Sequence, residues 1–205
     1  MNALPIRAFI FDIGNVLLRF DFSIALKRLQ SRADLAAEAM VAAWEPIKIA
    51  YENGGMTRAE FQQQIMKIVQ FAGTEREFVT AWEEIFSENL PMTELVGKLH
   101  GHYPLYLLSN TSDLHVDYIF RTYPVFQRFD DAVYSYRVKH SKPGREIFLV
   151  AARQFQVAPA ETIFIDDLPQ NIEMALALGF RAIQYDPGDH RALLAALARE
   201  GVCPD

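Results

Sequence analysis

Four residues able to do chemistry stand directly after short apolar runs: Asp12 after residues 8–11, Ser109 after 105–108, and Asp166 with Asp167 after 162–165. Singly, an Asp or Ser in such a place most often caps a helix or makes a turn. The adjacent pair is different, because two carboxylates at the end of an apolar strand repel each other unless a cation or hydrogen-bond donors compensate. A divalent metal meets that need, and Asp12 offers a third oxygen. Hard oxygen ligands suit Mg²⁺, which takes one or two carboxylates and keeps positions for water and a phosphate. Ser109 and the backbone amides of Asn110 and Thr111 then supply donors at the start of a helix, which is an anion site. Lys142, in HSKPGREIF, would neutralise the remaining phosphate charge, although a lysine in a loop is ordinarily just solvated. Metal, lysine and amides together suit phosphoryl transfer, which depends on positioning and charge stabilisation more than on covalent machinery.

These residues need strands to carry them. The three apolar runs read as strands buried on both faces, and further candidates lie at 132–136 and 181–185. Helical spacing follows at 114–120 and 172–178, with Gly179 as a stop. Alternation of strand and helix predicts an α/β fold with a parallel sheet and right-handed crossovers. Open sheets of this kind bind ligands beyond the carboxyl ends of their strands, where all four residues fall.

One interval breaks the rhythm. Between Asp12 and Leu105 the chain is far longer than a single crossover requires. Its spacings, such as Ile24, Leu26, Leu29 and Phe61, Ile65, Ile68, Val69, predict helices. Asn53, Gly54 and Gly55 interrupt them, and Thr57 with Glu60 forms a capping-box pattern opening the next helix. The expected organisation is an α/β core of residues 1–20 and 88–205, with a helical cap of three to four helices inserted at 21–87. Trp44, Phe61, Phe71, Trp82 and Phe86 are expected to pack the cap interior, with Tyr51 on its pocket side. His100 and His102 flank a glycine and read as an exposed turn.

In order along the chain, FIFDIGNVL, LLSNTS, SKPGREIF and FIDDLPQN resemble the four motifs of the haloacid dehalogenase superfamily. The resemblance implies a Rossmann-like core in which Asp12 is the nucleophile that becomes an aspartyl-phosphate, with Ser109 and Lys142 as phosphate binders. It also implies that Asp166 and Asp167 hold Mg²⁺ together with Asp12, while Asn171 steadies the acidic loop. Superfamily phosphatases commonly carry a second Asp two residues after the nucleophile, to protonate the leaving group and activate water. Here that position is Gly14, whose carbonyl can still face the metal but which cannot move a proton, a service typically worth 10²–10⁴-fold. The first motif looks most like a bacterial subgroup of sugar phosphatases that includes α-D-glucose-1-phosphate phosphatase and also carries glycine there. An anomeric hydroxyl leaves readily, so a sugar 1-phosphate tolerates the change. His115 and Asp21 are candidate replacement proton carriers, His115 because an imidazole can titrate near neutral pH; a lone helical His is more often structural. Two alternatives remain: a non-catalytic or weakly active phosphate-binding regulatory protein, and a 2-haloacid dehalogenase, for which the acidic pair would be superfluous.

Composition narrows the partners. The chain has 205 residues, 20 basic and 26 acidic for a net charge of −6, and is 51% hydrophobic, which suits one compact unit or a core with an insertion. Mild acidity is a poor match for nucleic acid or an anionic membrane. The single cysteine, Cys203, allows neither an intrachain disulfide nor a cysteine metal site. No run approaches a membrane helix, and the N-terminal apolar run is broken by Arg7 and Asp12 without a basic leader. A cytoplasmic protein acting on a small phosphorylated metabolite is expected, with no sign of its oligomeric state. Because the net charge repels phosphate, local positive charge must draw the substrate into the cleft.

Overall fold

The computed structural model describes residues 4–33 and 35–203. In chain order, β1 (Ala8–Phe11) and β2 (Leu18–Phe20) precede the helices α1 (Phe22–Gln30), α2 (Ala37–Glu52), α3 (Arg58–Ile68) and α4 (Glu75–Glu83). Then come β3 (Phe86–Glu88), α5 (Leu90–Leu99), β4 (Leu105–Ser109), α6 (Asp113–Thr122), β5 (Asp131–Tyr134), the short α7 (Ser135–Val138) and α8 (Arg145–Gln154). The chain ends through β6 (Thr162–Asp166), α9 (Pro169–Ala177), β7 (Arg181–Gln184) and α10 (His190–Arg199).

The main sheet has the order β5-β4-β1-β6-β7 and every pairing is parallel. All four residues of β1 and all five of β6 are buried, as expected for strands covered on both faces. Alternation divides their side chains between two layers. Phe9, Phe11, Leu105, Leu107, Ile163 and Ile165 face the layer filled by α5, α6 and α10. Ile10, Leu108, Val133 and Phe164 face the layer of α8 and α9. With β1 between β4 and β6, the carboxyl ends of those three strands lie side by side, so Asp12, Ser109 and Asp166 become neighbours in space.

The helices α1 to α4 lie between β2 and β3 in the chain, and these two strands pair as a small antiparallel sheet whose strands are too short to be read from periodicity. Their interior is aromatic: Trp44, Phe61, Phe78 and Trp82 are buried together, and Leu114 from α6 joins them. Phe61 stacks on Tyr51 and meets Trp82 edge-on. Capping boxes open both α3, through Thr57 and Glu60, and α4, through Thr74 and Glu77. Arg58 of α3 reaches across to Asp113 of α6 at 3.0 Å and also pairs with Asp117, while Tyr51 donates to Asp113 and Arg121 pairs with Glu83. Phe86 packs against the core cluster instead. Among the described residues no helix is long and apolar enough to cross a membrane.

Candidate active site

Lys142 is the hub of the carboxyl edge. Its ammonium lies 2.9 Å from Asp12 Oδ1 and 2.6 Å from Asp166 Oδ2. Its side chain is 1% exposed, so the solvated-loop alternative does not describe it. Burial alone would lower the Lys142 pKa, but Asp12 and Asp166 outweigh it and hold the ammonium above its ordinary value. Burial pushes the Asp12 carboxyl up to about 6 against the pull of Lys142, and Asp166 adds to the rise. The nearby Ser109 side chain also draws the Asp12 pKa down, by less than Lys142 does. The second oxygen of Asp166, Oδ1, accepts from the Leu168 amide at 2.9 Å and from Asn171 Nδ2 at 2.8 Å. Asp167 accepts from Asn15 Nδ2 at 3.1 Å, and burial raises its pKa. Oxygens of Asp12, Asp166 and Asp167 all lie within 4.8 Å of one another. Three carboxylates balanced by one ammonium leave the cluster short of positive charge, and the all-oxygen donor set fits a hard divalent cation.

Asn110 has a part beyond the one the sequence suggested, and the Thr111 amide is already engaged. The Asn110 side chain forms a two-way clasp on the Lys142 backbone, donating to its carbonyl at 2.8 Å and accepting from its amide at 2.9 Å. It thereby positions Lys142. The expectation of a free Thr111 amide is corrected, because that amide donates to Ser135 Oγ at 3.0 Å. Ser112 caps the helix, and α6 begins at Asp113, one residue before the start of the helical spacing at 114–120.

His115 is likewise corrected as a group titrating near neutrality. It is 4% exposed, stacked on Trp82 and met edge-on by Phe86, and its Nε2–H donates to the Trp82 carbonyl at 3.2 Å. Burial pushes it down to about 4, so it is neutral and its Nε2 proton is engaged. Asp21 is exposed and caps α1, accepting from the Ser23 amide at 2.8 Å. Gly14 lies against the Phe20 ring, where an added Cβ would stand 2.9 Å from Cε1.

Several residues of this region escaped the sequence reading. Asn15 takes a left-handed φ of 53°, which Asn tolerates, and the Gly-Asn pair was the available signal. A cavity of about 130 Å³ opens beside Ser109 and Gly14, and its cap side is formed by Phe20, Phe22, Lys48, Glu52 and Phe86. Lys48 and Glu52 share one face of α2 by their spacing of four, but nothing in the sequence aims that face at the core. His115 lines this cavity as well.

A parallel sheet with an acidic cluster and buried lysine at its carboxyl edge defines a class. Residues 6–179 match the haloacid dehalogenase-like hydrolase family, and the chain belongs to it. Among its relatives, a D-ribitol-5-phosphate phosphatase of Bacteroides thetaiotaomicron is 28% identical over 192 residues, 89% of this chain and 93% of that protein. A fructose-1-phosphate phosphatase of Escherichia coli is 27% identical over 96 residues, 47% of this chain and 51% of that enzyme. A solved haloacid dehalogenase family enzyme of Bacteroides thetaiotaomicron is similar with a TM-score of 0.85 at 26% identity, covering 94% of this chain and 99% of that one. Its complex with magnesium and inorganic phosphate gives 0.80 at 27% identity, with 92% and 98% covered.

Proposed function

We propose that the protein is a Mg²⁺-dependent phosphatase that hydrolyses a small phosphorylated metabolite of the sugar or polyol phosphate kind through a phosphorylated Asp12. The observation that carries this reading is the cluster of Asp12, Asp166 and Asp167 around the Lys142 ammonium. Support comes from the two phosphatases to which the chain is similar and from the magnesium and phosphate held by a structural relative.

In this mechanism a carboxylate oxygen of Asp12 forms a bond to phosphorus as the bond to the leaving alcohol breaks. Water then hydrolyses the acyl phosphate, releasing inorganic phosphate and regenerating Asp12. Lys142 and the Ser109 hydroxyl offset charge on the phosphoryl oxygens. Asp12, Asp166 and Asp167, with the Gly14 carbonyl, would hold Mg²⁺, which when bound supplies further positive charge there. Asn110 keeps Lys142 in place through its backbone. Neither His115 nor Asp21 suits the missing proton-transfer role, since one is buried and neutral and the other caps a helix. Gly14 therefore favours substrates whose alcohol leaves readily, and a sugar 1-phosphate such as glucose 1-phosphate is the finer reading that follows.

The test is phosphate release from a panel of sugar and polyol phosphates with and without Mg²⁺. Mg²⁺-dependent turnover that falls at least ~10³-fold in Asp12→Asn supports the proposal. A wild-type protein inert across the panel would support the non-catalytic phosphate-binding role. Dehalogenation, which needs no metal, leaves the three-carboxylate cluster without a use.

A further inference from the structure

The cavity beside Ser109 is small, about 130 Å³, against the several hundred Å³ typical of sites for drug-sized ligands. Its cap wall combines aromatic rings, Phe20, Phe22 and Phe86, with one cation and one anion, Lys48 and Glu52. Lys48 Nζ lies 3.0 Å from Glu52 Oε2 and 3.9 Å from Glu45 Oε1, and 5.1 Å from the centre of the Phe22 ring. Both side chains of the closer pair are largely withdrawn from solvent, at 16% and 19% exposure.

Glu52 is also fixed in place by the core. It is the last residue of α2, and its carbonyl accepts from Ser135 Oγ at 2.5 Å. Asn53 bonds Ser141. Gly54 then turns with φ of 69° so close to the Tyr136 carbonyl that a Cβ would stand 2.2 Å from its oxygen. The end of α2 is thus docked on α7 and the loop that follows it, and Glu52 is held at the cavity rather than swinging with solvent.

Resting on the phosphatase reading above, we propose that Lys48 and Glu52 are the specificity-determining pair of this site. They hold hydroxyl groups of the leaving alcohol, so the substrate is a neutral polyhydroxylated monophosphate rather than a carboxylated one. A hydroxyl both donates and accepts, so one group can bridge the Glu52 carboxylate and the Lys48 ammonium. The C–H faces of a carbon chain or ring pack on the phenyl rings beside them. A leaving group with its own carboxylate fares differently, because Lys48 is already neutralised by Glu52 and Glu45, and Glu52 repels the newcomer.

The experiment uses the full chain with Mg²⁺ and three substrates: D-ribitol 5-phosphate, 2-phosphoglycolate, and p-nitrophenyl phosphate, whose leaving group has no further hydroxyl. Wild type should favour the polyol phosphate over phosphoglycolate in kcat/KM by about 100-fold or more, in line with the rejection expected of a site that hydrogen-bonds a substrate hydroxyl. Glu52→Gln and Lys48→Met should each lower the ratio of kcat/KM for ribitol phosphate over p-nitrophenyl phosphate about tenfold or more. The ratio is taken within one preparation, so partial loss of folded protein cancels. A ratio unchanged in both variants, as a merely structural pair would give, overturns the assignment while leaving the phosphatase reading intact. A wild type that prefers phosphoglycolate overturns it too. A wild type that releases phosphate from none of the three overturns both.

Discussion

Lys142 and Asp12, remote from each other in the chain, meet at 2.9 Å on the carboxyl edge of the sheet, and the lysine is the ammonium that lets buried carboxylates gather there. Lys142→Met removes it and leaves Asp12 and Asp166 facing each other, an error that typically costs 3–5 kcal/mol for a broken buried pair. In metal-free buffer at pH 8, urea denaturation should show a loss of about 3 kcal/mol or more. Without the ammonium Asp12 loses the pull that opposes its burial and binds its proton more tightly than in wild type, so the deficit should shrink as the pH falls toward 5. A deficit that is flat between pH 8 and 5 would argue against the ionic account.

Asn171 is buried and donates to Asp166 Oδ1 at 2.8 Å, fixing which oxygen of that carboxylate is left to face Lys142 and the cluster. Asn171→Ala should raise the Mg²⁺ concentration needed for half-maximal phosphate release 10–100-fold, with a smaller effect on kcat at saturating Mg²⁺. A magnesium titration of the two proteins at fixed substrate measures this.

His115 makes stability depend on pH. Its imidazole is held at about 4 by burial, whereas in the unfolded chain it titrates near its ordinary value of about 6.5. Above that value both states are neutral and the full stability is present. As the pH falls from 6.5 toward 4 only the unfolded state takes a proton, and about 3 kcal/mol is lost. His115→Gln should lack this slope, so the difference in urea unfolding free energy between wild type and variant should change across that window and be constant above pH 7.

Gly14 and Phe20 occupy one space. An aspartate at position 14 puts its Cβ 2.9 Å from the Phe20 ring edge, but Phe20 is 40% exposed and its ring can swing outward. Gly14→Asp combined with Phe20→Ala should therefore raise kcat for phosphates of ordinary alcohols by about 10²-fold, the lower end of general acid–base assistance. It should gain less for p-nitrophenyl phosphate, whose leaving group needs no acid. The comparison is made by steady-state phosphate release.

The sequence by itself determined the three central strands and, to within a residue, where they end, because a strand buried on both faces must be apolar and gives way where polar residues begin: β1 stops at Phe11 before Asp12, and β4 and β6 run one residue further, to Ser109 and Asp166. It also marked the insertion, by the length between Asp12 and Leu105, and the start of α3, because the Thr57–Glu60 cap is a contact within one turn. Other features depend on residues remote in the chain. The order β5-β4-β1-β6-β7 decides that Asp12, Ser109 and Asp166 are neighbours. Periodicity shows that Lys48 and Glu52 share a face, but only the docking of α2 through Glu52, Asn53 and Gly54 on the core turns that face toward Ser109. The aromatic walls around His115 and the Ser135 hydroxyl on the Thr111 amide are likewise long-range contacts. They settle what those residues can do, because a side chain's protonation and a backbone donor's freedom are set by whatever the tertiary fold packs against them.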